Sequence, residues 1–149
     1  MSKLASAFGD SFQLRTKTFE LGGHTFKVRI PLTKELEEIS ARCETINDAS
    51  FKARYDKAAA GFKESKDGVE IKKDDVIVDG RSTKELVQSA MKMENRIVEF
   101  IKLLIPEAGN LDDITYDDVE AEWPFAVQLE ILSKISEAIQ PGYKESRKN

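Results

Sequence analysis

The sequence has few of the residues from which disulfides, metal sites and most active sites are built. It contains one cysteine, Cys43, and one histidine, His24. An internal disulfide needs two cysteines, and a structural zinc ion needs several Cys or His ligands. An internal disulfide and a structural zinc site are therefore excluded. Because nothing indicates an oxidising compartment, we expect a cytosolic protein.

Long apolar runs are absent as well. The first residues, MSKLASAFGD, lack the continuous apolar stretch of roughly 7–15 residues that a signal peptide needs. No later segment approaches the roughly 20 apolar residues that cross a bilayer. We therefore expect the protein to remain where it is made and to have no membrane partner.

Neither sign of charge forms a long block. The 23 basic and 27 acidic side chains give a net charge of −4, and their order would not follow a phosphate backbone or an anionic membrane. Nucleic acid and lipid are therefore not expected as partners. With 40% hydrophobic and 34% charged residues, the chain is expected to fold around a core and to have a strongly solvated surface.

Two groups of residues keep an enzymatic or metal-binding function open. Cys43 and His24 are a conceivable nucleophile and base, but Cys43 lies on the apolar stripe of a predicted helix, where a thiol is usually inert. A run of carboxylates could hold Mg²⁺ or Ca²⁺, yet it lacks the spacing and glycine of an EF-hand loop. Phosphate-binding loops and nucleophile elbows are also missing, so we expect no enzymatic activity, metal or cofactor. The carboxylate run is Asp112, Asp113, Asp117, Asp118, Glu120 and Glu122.

The N-terminal half carries two hairpin signals. Apolar residues alternate between Lys17 and Ile30 on either side of Gly22-Gly23, and a two-glycine link between alternating runs predicts a hairpin. Two shorter β-like pieces, Val69 to Ile71 and Val76 to Val78, predict a second one.

Apolar residues at three- and four-residue spacing predict five helical stretches. The third is expected to be the central core helix, because its apolar residues fall within an arc of roughly 160°. The helices are expected after Thr33, from Phe51 to Phe62, from the capping box at Ser82 to Pro106, after Thr115, and from Phe125 to Gln140. The arc of the third helix contains Leu86, Val87, Ala90, Met93, Ile97, Val98, Phe100, Ile101, Leu104 and Ile105. The main face of the last helix contains Phe125, Leu129, Leu132, Ile135 and Ile139.

Together these patterns predict an α+β fold, in the form of a predominantly helical single domain with one or two β-hairpins in its N-terminal half. Residues 15–142 are expected to form the globular domain. Residues 1–14 are expected to be a flexible N-terminal arm and residues 143–149 a flexible C-terminal tail.

Two features exceed what a core requires. On the last helix, Val127, Ile131 and Ala138 form a second apolar strip, which widens the apolar arc to roughly 200° where about 100° suffices for a surface helix. On the third helix, Leu103 points away from the core arc and Glu94 points into it. The three strip residues and Leu103 are therefore candidate partner-binding residues. The alternative is that the last helix lies between two neighbours and that Glu94 is paired with a basic side chain.

Three segments resemble the tail assembly chaperones of long-tailed bacteriophages. The likeness lies in the pattern of hydrophobic residues, caps and prolines, and it includes no catalytic signature. The segments are FELGGHTFKVRIPLTKELEEI around the first hairpin, DDVIVDGRSTKELVQSAMKMENRIVEFIKLLIPE at 74–107, and ITYDDVEAEWPFAVQLEILSKISEAIQPG at 114–142.

The resemblance implies a protein that acts in the host cytoplasm during virion assembly and is absent from the mature virion. It implies that this protein binds the long helical tape measure protein and keeps it soluble. It also implies that this protein helps to recruit tail tube subunits. Such chaperones often have a longer product, made by ribosomal slippage, whose extension binds the tube protein. Arg147-Lys148-Asn149 is compatible with the slippery codons AGA-AAA-AAC.

Other interpretations stay open beside this one. A structural virion protein, such as a head–tail connector or adaptor, would remain in the particle. Self-association in the absence of a partner is also open. The resemblance carries no active-site residues, so the four candidate residues rest on helical geometry alone.

Overall fold

The structure, a computed structural model, describes Lys3, Ala7 and residues 15–62 and 65–139. Five helices and six strands lie within the two long ranges, so the fold is α+β, as predicted. The strands are β1 Thr16–Leu21, β2 His24–Arg29, β3 Val69–Ile71, β4 Val76–Val78, β5 Arg81–Ser82 and β6 Leu104–Ile105. The helices are α1 Thr33–Glu44, α2 Asp48–Ala59, α3 Thr83–Ile101, α4 Tyr116–Glu122 and α5 Phe125–Ile139.

The strands form two small antiparallel sheets, ordered β1-β2-β6 and β3-β4-β5. Both predicted hairpins are present, but each gains a third strand that the sequence did not indicate. The prediction that strands occur only in N-terminal hairpins is therefore wrong, and helices predominate less than expected.

Contacts between α carbons divide the chain into two compact units. Unit 1 comprises residues 1–39 and 97–149, and unit 2 comprises residues 40–96. One globular domain over 15–142 stays a prediction. The proposed arm at 1–14, apart from Lys3 and Ala7, and the proposed tail at 143–149 lie outside the described residues.

The first hairpin of unit 1 has the register that its alternation predicts. Gly22 and Gly23 have φ angles of 61° and 80°, and positive φ at both central residues fits the tight turns that match strand twist. Phe19 lies opposite Phe26, and the two rings stack with centroids 5.3 Å apart. The same face continues to Val28, which is fully buried.

The long helix α3 ends at Ile101, not at Pro106 as predicted. The chain turns at once, with the Leu103 N–H donating to the carbonyl of Phe100 at 3.0 Å. The Arg29 N–H then donates to the carbonyl of Leu103 at 2.9 Å, and β6 pairs with β2. The edge of β2 needs hydrogen-bond partners. Pairing of this edge with residues 104 and 105 outweighs the helical pattern of the sequence there.

The two C-terminal helices of unit 1 are joined by a break at Trp123-Pro124. The predicted capping box at Thr115 is present, because its hydroxyl accepts from the Asp118 N–H while the Asp118 carboxylate accepts from the Thr115 N–H. Helix α5 packs on β1 and β2. Its buried residues are Gln128, Ile131, Leu132 and Ile135.

The buried face of α5 differs from the predicted one. Phe125 and Leu129 were expected in the core but are exposed, whereas Gln128 is buried. The Gln128 amide accepts from the Tyr116 hydroxyl and donates to the Trp123 carbonyl, each at 2.8 Å. These bonds satisfy the hydrogen-bonding groups of the buried amide. The pattern of apolar residues alone would not have predicted a polar residue at this buried position.

Candidate protein-binding site

The four residues proposed from the sequence do not form one exposed strip. Leu103 and Ile131 are 2% and 1% exposed, so they belong to the core of unit 1, which corrects that expectation. Leu103 lies after the end of α3, where helical geometry no longer sets its direction. Val127 and Ala138 are half-buried on α5, and partner binding by these two stays a prediction.

An apolar groove of about 700 Å³ lies in unit 2. Its walls come from α2 and the turn after it, from β4, and from the N-terminal part of α3. We call it the unit 2 groove. Its apolar lining is Ala58, Phe62, Val78, Leu86, Val87 and Ala90.

Two rows of residues at four-residue spacing build the groove. Ala58 and Phe62 follow Arg54 along and beyond α2, and Leu86 and Ala90 follow one another along α3. Residues four apart lie on one face of a helix. Each row combines a small alanine, Ala58 or Ala90, with a larger residue, Phe62 or Leu86, and both larger residues are exposed.

Asp75 fixes the start of α3 beside the groove. Its carboxylate accepts from the Lys84 N–H at 3.0 Å, from its neighbour's N–H, from the Tyr55 hydroxyl at 3.2 Å and from the Ser82 hydroxyl. Burial raises the pKa of Asp75, but these donated hydrogen bonds outweigh it and lower the pKa. The predicted Ser82 cap is also present, since its hydroxyl accepts from the Glu85 N–H at 3.1 Å.

The charged side chains that line the groove are both basic, Arg54 and Lys57. The Arg54 guanidinium also donates to the Glu94 carboxylate, with Nη1 2.5 Å from Oε1. The carboxylate thus offsets much of the Arg54 charge, and Lys57 supplies most of the positive potential at the rim.

The sequence analysis placed Leu86, Ala90 and Met93 in the core, but all three are exposed. The width of the apolar arc of α3 could have indicated that these residues are exposed. The apolar arc of α3 is roughly 160° wide, and about 100° is enough to face a core. A similar excess on α5 pointed to Val127, Ile131 and Ala138, of which Ile131 is buried and the other two are half-buried.

Cys43, His24 and the carboxylate run lie outside the lining of the unit 2 groove. No group of three His, Cys, Asp or Glu side chains within 15–62 and 65–139 could hold a metal ion. Cys43 is buried in α1, and the His24 Nε2 lies 3.8 Å from Glu107 in unit 1. In the same part of the chain, no helix is long and apolar enough to cross a membrane.

A second concavity, of about 690 Å³, lies in unit 1 beside β6. Phe26, Leu104 and Trp123 contribute to its lining, and the His24–Glu107 pair lies at its rim. Threonine, lysine and glutamate side chains also line it. We choose the unit 2 groove as the candidate protein-binding site, because residues at helical spacing from two helices line it.

Comparison with known proteins found no matching family model, curated protein or solved structure.

Proposed function

We propose that this protein is a tail assembly chaperone of a long-tailed bacteriophage. It binds the tape measure protein, keeps it soluble and helps to recruit tail tube subunits. It acts in the host cytoplasm, is not an enzyme and leaves the assembly before the virion is complete. The segments at 74–107 and 114–142 carry the resemblance behind this proposal, and the unit 2 groove is the structural observation that supports it.

The groove has the form that an amphipathic helix requires of its receptor. Apolar side chains at positions i, i+3, i+4 and i+7 of such a helix insert between two helices that are held apart. Here α2 and α3 both line the groove and are joined by the Arg54–Glu94 pair. Lys57 at the rim would attract a carboxylate flanking the apolar seam.

A chaperone of this kind must cover apolar surface without becoming insoluble itself. A tape measure protein exposes long apolar seams until tube subunits surround it, and such seams drive aggregation. The groove covers part of the seam, while 34% charged residues keep the complex hydrated. The exposed apolar residues and the high charge therefore serve the same task.

Substituting Leu86 tests the groove directly. Leu86 is 49% exposed, so Leu86→Glu should leave the fold intact while placing a carboxylate in the apolar groove. Ile71→Glu is the matched control, because Ile71 is 39% exposed in the same unit but does not line the groove. Both variants are first checked by thermal unfolding.

The assay is co-expression with a candidate tape measure protein from the same genome, followed by measurement of its soluble fraction and of its Kd for this chain. We expect Leu86→Glu to weaken binding at least about tenfold, or 1.4 kcal/mol, and Ile71→Glu to have little effect. Equal binding by wild type and Leu86→Glu would refute the groove as the site. Detection of the chain in purified particles would overturn the chaperone role in favour of a connector or adaptor.

The longer product is tested separately. We expect a slippery heptamer in the codons of Arg147-Lys148-Asn149, an open overlapping frame and a minor larger band that reacts with an antibody against this chain. Deleting the slippery site by synonymous codons should remove this band and the recruitment of tube protein, while tape measure binding is kept. Tube recruitment that survives the deletion would show that the extension is not needed.

A further inference from the structure

Thr83 places a hydroxyl in the wall of the unit 2 groove. It is the first residue of α3 and is 6% exposed, and it lines the groove together with Leu86 and Ala90. These residues follow one another at three- and four-residue spacing, so they lie on one face of the helix. The α3 wall of the groove is therefore apolar except at its first residue.

The Thr83 hydroxyl has no hydrogen-bond partner in the described part of the chain, whereas its neighbours are fully engaged. The Ser82 hydroxyl donates to the Asp75 carboxylate and accepts from the Glu85 N–H, and the Lys84 N–H donates to Asp75. No side-chain oxygen or nitrogen that is sealed from water in these residues lacks a partner. The Thr83 hydroxyl is therefore in contact with water, and the groove that it lines gives water this access.

A helix that fills the groove removes this water. A hydroxyl that loses its water and gains no other partner keeps the cost of its desolvation. An occupant that presents only apolar side chains to Thr83 should therefore bind about tenfold more weakly than the same contact would without the hydroxyl. An occupant that offers a hydrogen bond avoids this cost.

The charges around Thr83 indicate which polar group fits. The Asp75 carboxylate is bonded to the residues on both sides of Thr83, so a second carboxylate is disfavoured there. Arg54 and Lys57 line the same groove, so a cation is disfavoured as well. A neutral side chain that both donates and accepts, an amide or a hydroxyl, meets neither repulsion.

We propose that Thr83 is a specificity-determining residue of the unit 2 groove, which selects a helix whose apolar seam contains one neutral hydrogen-bonding side chain. Thr83 and Ala90 are about 10.5 Å apart along α3, so this side chain lies at one end of the seam and the rest stays apolar. The inference rests on the proposed function and names a feature of its partner.

Designed amphipathic peptides provide the test. The parent peptide has leucine at every seam position, and in each of its variants one seam leucine is replaced by asparagine. The Kd of each peptide is measured by fluorescence anisotropy for wild type, Thr83→Val and Thr83→Ser. Valine keeps the shape of threonine without the hydroxyl, and serine keeps the hydroxyl. Leu86→Glu should lose the peptides and Ile71→Glu should keep them, which places them in the groove.

Thr83→Val should bind the all-leucine peptide about tenfold more tightly than wild type does. This gain should vanish for the one asparagine peptide whose amide meets Thr83, and it should persist for the others. Thr83→Ser should behave like wild type with every peptide. The proposal is overturned by a gain that is equal for all peptides. It is also overturned if the all-leucine peptide shows no gain, because water would then remain at the hydroxyl in the complex.

Thermal unfolding first checks that each variant folds. If Thr83→Val does not fold, Thr83→Ala removes the hydroxyl in its place. Selection by Thr83 without binding of a tape measure protein refutes only the partner in the proposed function. Tape measure binding that Leu86→Glu abolishes, together with peptide preferences that Thr83→Val leaves unchanged, refutes only the selection. Failure of every peptide to bind wild type overturns both the groove as a helix receptor and the selection.

Discussion

Arg54 and Glu94 are 40 residues apart in the chain and form an ion pair in which Nη1 lies 2.5 Å from Oε1. Glu94 was the one acidic residue that the sequence placed within the apolar arc of α3, and its pairing with a basic side chain is confirmed. The arc therefore does not face a core along its whole width. The part beside Glu94 forms one wall of the groove.

The Asp75 carboxylate should contribute strongly to the stability of unit 2. Asp75→Ala removes the bond to the Lys84 N–H at the start of α3 and the bonds from Ser82 and Tyr55. Loss of a helix cap costs about 1–2 kcal/mol, which should appear as a lower midpoint in urea unfolding followed by circular dichroism. Asp75→Asn retains one acceptor oxygen and should lose less. A loss in Asp75→Ala within experimental error would contradict the assigned role.

The ion pair between Arg29 and Glu35 should make stability depend on pH. The two hydrogen bonds from the guanidinium, of 2.9 and 2.6 Å, lower the pKa of Glu35 despite some desolvation. Because the folded-state pKa is the lower one, the stabilisation is present above the unfolded pKa of about 4.3 and is lost as the pH falls through the folded value. Both side chains are partly exposed, so the effect should be small.

Glu35→Gln measures this contribution. The variant should be less stable than wild type by about 0.5–1 kcal/mol at pH 7, and the difference should shrink below about pH 4. Unfolding by urea at several pH values gives both quantities. A difference that grows towards low pH would show that the sign is wrong.

The buried amide of Gln128 should be needed for the packing of α4 against α5. Gln128→Leu keeps the volume but removes the bonds to the Tyr116 hydroxyl and the Trp123 carbonyl. Removal of one partner of a buried hydrogen bond costs about 1–3 kcal/mol. Tyr116→Phe should cost less, because Gln128 keeps its bond to Trp123. In a double-mutant cycle the two changes should not be additive, and additivity would mean that the bond contributes nothing.

Gly68 should tolerate alanine less well than Gly80 does. Both have positive φ angles, 87° and 80°, so alanine strains the backbone by about 1–2 kcal/mol at either position. At Gly68 a Cβ atom would also collide with the Asp79 carboxylate, whereas at Gly80 it would meet nothing within 4 Å. Thermal unfolding of the two variants isolates the collision. Equal losses would show that Asp79 simply moves aside.

Local signals in the sequence predicted the parts of the fold that depend on neighbouring residues. Gly22-Gly23 fixed the first hairpin and its register, and the Thr115 box fixed the start of α4. Such features rest on turn geometry and capping, which a few adjacent residues determine. The third strand of each sheet could not be found in this way, because a two-residue strand has no periodicity of its own.

The candidate site was predicted less well than the fold. The pattern of α5 indicated an excess of apolar residues, but the buried Gln128 turns the helix so that Phe125 and Leu129 face outwards. Similarly, the end of α3 depends on the distant edge of β2. Tertiary contacts decide which side of a wide apolar arc faces solvent. A single sequence does not identify the residues that make these contacts.

The insertion of unit 2 between the two segments of unit 1 has a consequence for synthesis on the ribosome. Translation proceeds at about 5–20 residues per second, so β2 is made roughly 4 to 15 s before its partner β6. During that interval the strand has an open edge, while all residues of unit 2 are completed. Unit 2 can therefore complete its own sheet before the sheet of unit 1 gains its third strand.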